Sequence, residues 1–147
     1  MLDTGIVIVI AIGILGGVAV GLQSPIAGAI SERVGGTASS LIIHLSGAFL
    51  SGVLLFARGG EQIGNWRSLS WYMWLGGFFG VVLYLTLSVT FPKLGATSAL
   101  ILIIIGQLFT GMAIDTFGWL GVPARAFDPM RLVGALVVVA GAYLILR

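Results

Sequence analysis

Four side chains in this 147-residue sequence carry hydrogen-bonding or acid–base chemistry among apolar neighbours: Gln23, His44, Gln107 and Asp115. Gln107, Gly111 and Asp115 follow one another at steps of four, which keeps them on one face of a helix with a slow drift. Gln107 falls near the middle of an apolar run, and Asp115 lies about two turns farther on. Hydrocarbon offers an amide no partner, and a polar group in such a run turns toward protein or water. Gln107 therefore lines a substrate or ion path, or ties its helix to a neighbour by a hydrogen bond. Asp115, nearer the end of the run, is placed to cap a neighbouring helix or to pair with an arginine. With Glu32 it is a candidate for gating or helix capping.

Gln23 stands just before Pro25. Proline has no N–H to donate, so the carbonyl of Gly21 is freed. A polar side chain beside an interrupted helix is how transporter sites are built; the alternative is that Gln23 only satisfies the freed carbonyl. His44 is the single histidine. It could change charge during transport, or simply be hydrogen-bonded within the bundle. No cysteine or acid stands at ligand spacing from it, so no metal site is expected. Tyr84, one step of four beyond Gly80, completes the candidate substrate contacts: Gln23, Gln107, His44 and Tyr84.

These residues must be held by membrane-spanning helices. The chain is 59% hydrophobic and 8% charged, with a mean hydropathy of +1.16, against the ~25% charge of soluble domains. A span needs ~20 apolar residues. The apolar runs predict five helices in one transmembrane domain, residues 1–147, at about 4–32, 37–57, 71–91, 95–117 and 129–146. The fold class is all-α, polytopic. The first helix is expected to bend at Pro25. Thr37 and Ser70 are plausible N-caps, and Pro92-Lys93 reads as a tight turn. Gly118 suits a C-terminal cap, and Asp128-Pro129 is a start signal for the last helix. The first run is too long, and its start too acidic with Asp3, for a cleaved signal peptide, although Ala27 and Ala29 make a small-x-small pattern. A net charge of +2 leaves no footprint for nucleic acid. No P-loop, dinucleotide fingerprint, catalytic triad or zinc motif occurs, so neither an enzyme nor a cofactor is expected.

Five spans put the N-terminus, the second loop and the fourth loop on one side, where all four tryptophans fall at or near the boundary. That side carries Arg58, Arg67, Arg125 and Arg131; the other carries Arg33, Lys93 and Arg147. A Lys/Arg excess is what orients a membrane protein, and here it is nearly absent. Either the chain has one weakly biased orientation, or it inserts both ways and pairs antiparallel. Small residues four apart allow close helix contact, which marks Gly76, Gly80 and Gly111 for packing.

The run from Leu94-Gly95-Ala96-Thr97 through Gly106-Gln107-Leu108 to Asp115-Thr116-Phe117-Gly118-Trp119-Leu120-Gly121-Val122-Pro123 resembles the signature of the YdcZ-type family, a group of unknown function in the drug/metabolite transporter superfamily. Leu22-Gln23-Ser24-Pro25 resembles that family's Q-x-P-x-N element, and Trp74-Leu75-Gly76-Gly77-Phe78-Phe79-Gly80 its third helix. The resemblance covers nearly the whole chain. It implies a short, five-helix relative of the small multidrug-resistance transporters, in the cytoplasmic (inner) membrane. It also implies a partner, either a second copy in an antiparallel dimer or a homologous paired subunit. Two positions depart from the family: Ala27 stands where an Asn is usual, and His44 where a small polar residue is common. Gln23 sits about where the small multidrug-resistance proteins carry an essential glutamate, and an amide cannot release a proton, so proton exchange there is not expected.

Three functions compete. The first is a secondary transporter or facilitator of a small molecule, working by alternating access in an antiparallel dimer. The second is a non-transporting structural or regulatory subunit. A channel would want a continuous polar face or a charge ring, and neither is present. In a transporter Gln23, Gln107 and His44 should converge on one water-filled cavity; in a scaffold each should be individually hydrogen-bonded and dry.

Overall fold

The computed structural model describes residues 3–147, and its regular structure is helical, with no strand among those residues. α1 spans Thr4–Val34 and stays helical through Pro25. Gly35, at φ 88°, is the whole connection to α2, Gly36–Ala57; glycine enters this region without the steric penalty a Cβ brings. Two 3₁₀ turns follow, Ile63–Ser68 and Trp71–Trp74. The α-helical stretch Leu75–Phe117 is broken at Gly95 (φ 75°, ψ 173°). It comprises α3 (75–94) and α4 (96–117). Gly118 closes α4 at φ 66°, and α5 is Pro129–Leu146.

The five helices fill four stretches long and apolar enough to cross a membrane, because the Trp71–Phe117 stretch contains both α3 and α4. Two boundaries differ from the sequence reading. The tryptophan-rich start of the third element is a 3₁₀ turn rather than α-helix, a frequent device at helix N-termini. The tight turn expected at Pro92-Lys93 is not made there; the helix is interrupted instead at Gly95, where the backbone takes a positive φ.

The chain forms two compact units that part between Pro92 and Lys93. In the first, the last third of α1, the start of α2 and the end of α3 are joined through small side chains. Ser24, Ala27 and Gly28 of α1 and Ser39, Ser40 and Ile43 of α2 are buried, and so is Leu87 of α3. Ser39 Oγ donates to the Ala27 carbonyl at 2.9 Å, a buried bond between helices. A Cβ on Gly36 would stand 2.7 Å from Ser88 Oγ, and one on Gly80 would stand 2.8 Å from His44 Nε2. These contacts step in opposite directions along α2 and α3, so the two run antiparallel. Residues 3–20, by contrast, are exposed throughout, an apolar surface suited to lipid.

In the second unit the loop after α4 folds back on it: the Arg125 N–H donates to the Asp115 carbonyl at 2.7 Å. Asp128 caps α5, its Oδ1 accepting the Met130 N–H at 2.9 Å, with Pro129 at the first helical position as the sequence leads one to expect. Ala135 and Ala142 give α5 a buried small-residue face.

Candidate functional site

In the second unit, α4 and α5 border an open groove of about 700 Å³. α4 contributes Gln107, Gly111 and Asp115, the series the four-residue spacing puts on one face; α5 contributes Arg131, Gly134 and Val138. The width of the groove comes from missing side chains. A Cβ on Gly111 or on Gly134 would meet nothing within 4 Å. One end is ionic: Arg131 Nη1 lies 3.3 Å from Asp115 Oδ2, and its Nε lies 3.9 Å from Asp128 Oδ2. The Asp115 and Arg131 side chains are 36% and 47% exposed, and a pair this open is worth about 0–1 kcal/mol in water. It can therefore be opened by a competing charge. About two helical turns away, Gln107 offers an amide that both donates and accepts. The groove is thus apolar along its walls, with one neutral polar group and one exchangeable ion pair.

The first unit holds a second groove, about 730 Å³, along the start of α2 and bordered by Val81 of α3. Thr37, Ser40 and His44 supply its polar side chains. His44 Nδ1 lies 2.7 Å from the Ser40 carbonyl and 3.3 Å from Ser40 Oγ. A carbonyl can only accept, which assigns the neutral ring's proton to Nδ1. Nε2 is then an acceptor, set against Gly80. Tyr84 meets the imidazole edge-on, with centroids 5.2 Å apart and planes at 76°. Glu32 lies at a smaller cleft of about 190 Å³ with Pro25, Gly28 and Phe91.

The structure thus groups the candidate residues into two sets. Gln107, Gly111 and Asp115 share the α4–α5 groove; His44, Tyr84 and Gly80 meet at the α2–α3 seam. Gln23 is exposed on α1 and borders neither groove. A Cβ on Gly76 would meet nothing within 4 Å. Sequence reasoning missed Ser39, Ser40, Arg131 and Gly134. For Arg131 and Gly134 a signal existed: the Asp128-Pro129 start fixes the phase of α5 and puts both on one face, three residues apart. Among the described residues no group of three His, Cys, Asp or Glu side chains could hold a metal ion.

The family described as "Putative inner membrane exporter, YdcZ" matches residues 8–144. The chain is 27% identical over 141 residues to the inner membrane protein YdcZ of Escherichia coli (strain K12), covering 88% of this chain and 91% of that one. No solved structure matches.

Proposed function

The chain belongs to the YdcZ family, and from that premise we propose that it exports a small molecule by alternating access between two antiparallel copies. It is a multi-pass protein of the inner membrane. The observation that carries the transport reading is the α4–α5 groove. There an amide, an ion pair and two bare glycines open on one helix-lined surface, where a structural subunit would want those faces closed. Gln107 is the central substrate contact, and Asp115 gates the end of the groove through Arg131. His44 and Tyr84 form a second contact set in the other unit, and Gln23 joins one of these sets when two copies assemble. The nearly even division of Arg and Lys between the two sides supports insertion in both orientations.

The test is electrical measurement on solid-supported membranes with the purified protein in liposomes, screened against cations, anions and neutral metabolites. A substrate signal should appear and fall about tenfold or more in Gln107→Leu, with assembly by size-exclusion chromatography intact. Intact assembly with no transported solute in either protein would leave the chain a structural or regulatory subunit. A reporter fused after Arg147 should read both compartments; a signal from one side only would point to a homologous partner chain of opposite bias.

A further inference from the structure

The ion pair that ends the α4–α5 groove is unequal in what each partner stands to lose. The Arg131 guanidinium is shared by two carboxylates, at 3.3 Å from Asp115 and 3.9 Å from Asp128. Charge-assisted N–H···O bonds close to about 2.7–2.9 Å, so neither acid holds it tightly. Asp128 is fixed by its other task, capping α5 through the Met130 N–H. Asp115 faces the groove, and Arg131 is its one ion-pair partner among the described residues. Arg125 is near, but meets Asp115 backbone to backbone. Moved off Asp115, Arg131 keeps Asp128. Deprived of Arg131, Asp115 keeps no ion pair among the described residues. An incoming cation replaces the charge it displaces, whereas an incoming anion at Arg131 would strand Asp115 and face Asp128 as well.

We propose that the α4–α5 groove takes an amphipathic cation. Its ammonium seats on the Asp115 carboxylate and moves Arg131 onto Asp128, while its apolar body lies over Gly111 and Gly134 toward Gln107. The assignment rests on reading this groove as the transport site and adds the substrate class. The two glycines give the body its room, since neither α-carbon has a neighbour where a Cβ would stand. Asp115 and Gln107 are separated by about 12 Å along α4, which suits a flat apolar unit with one charged end. The exchange gives Arg131 two positions, one with the groove empty and one with it loaded, so occupancy of the groove is reported to the N-terminus of α5.

The experiment uses the full chain in lipid nanodiscs, titrated calorimetrically with phenylbutylammonium, phenylbutanol and phenylbutanoate, three probes with one body and different charge. The ammonium should bind about tenfold or more tighter than the alcohol, and the carboxylate weakest. Asp115→Asn should erase that preference and leave alcohol binding in place. Arg131→Gln removes the competitor and should tighten the ammonium several-fold. Asp128→Asn, which keeps a capping side chain, removes the second seat for Arg131 and should weaken it. If Asp115→Asn does not fold, Arg131→Gln still decides, because loss of a merely structural arginine would weaken every probe. Equal binding of the three probes, tighter binding of the carboxylate, or weaker ammonium binding in Arg131→Gln overturns the proposal. So does the absence of binding by any probe, as when a lipid chain or a helix of a second copy fills the groove. Gln107-dependent transport with no charge preference would sink the cation assignment and leave transport standing. Charge preference without Gln107-dependent transport would do the reverse.

Discussion

The α2–α3 seam and the α4–α5 groove use the same residue type to opposite ends. Each is bordered by glycines, and each leaves a space of similar size, about 730 and 700 Å³. At the seam, Gly36 and Gly80 are pressed against Ser88 and His44, with no room for a Cβ. In the groove, Gly111 and Gly134 face open space. One pair brings helices together; the other keeps a surface clear. A glycine stripe thus has no fixed meaning in a membrane helix, because its role is set by what stands opposite.

Substitution can break this contrast or sharpen it. The largest effect is expected at Gly80. In Gly80→Leu the side chain must displace the His44 ring from its bond to Ser40, and overpacking of this kind costs about 1–3 kcal/mol. Thermal unfolding in mild detergent should show a clear loss. Gly80→Ala in a His44→Ala background should recover most of what Gly80→Ala alone loses, since the two residues are in contact; strictly additive losses would mean that the ring is not what limits the approach. A smaller effect is expected for Ser39→Ala, which removes the hydrogen bond to the Ala27 carbonyl. One such bond contributes about 0.5–1.5 kcal/mol, and an unchanged melting curve would show that small-residue packing alone holds α1 to α2. The smallest effect, opposite in sign, is expected for Gly111→Ala. Nothing obstructs the added methyl, and alanine favours a helix over glycine by up to about 1 kcal/mol. A destabilised Gly111→Ala would make Gly111 a contact glycine like Gly80.

Hydropathy was enough to read the helices from the sequence, and capping chemistry was enough to place the start of α5 at Asp128-Pro129. The break between α3 and α4 was harder. Pro92 and Gly95 are both punctuation, and only the backbone angles at Gly95 show which one interrupts the helix. In the candidate sites, the four-residue spacing grouped Gln107, Gly111 and Asp115 correctly on one face of α4. It could not say which arginine Asp115 would meet, because that depends on the path of the loop through Arg125. The serines were opaque for a different reason. A helical serine can donate to a carbonyl of its own helix, as Ser24 does to Val20, or to a neighbour, as Ser39 does to Ala27. Nothing in the local sequence separates the two.

The helices differ widely in length, and all of them must meet one bilayer. α1, with 31 residues, is about 46 Å long and α5, with 18, about 27 Å, against a hydrocarbon thickness of about 30 Å. α5 fits standing nearly upright, in a membrane drawn slightly thin around it. α1 fits only by leaning or by running into the headgroups, and a leaning helix changes its angle as thickness changes. Lipid acyl-chain length therefore acts on α1 and α5 in opposite senses. Thicker membranes stand α1 up and leave α5 short; thinner ones suit α5 and lay α1 over. The bilayer is in this way a mechanical input to the protein, entering at its longest helix.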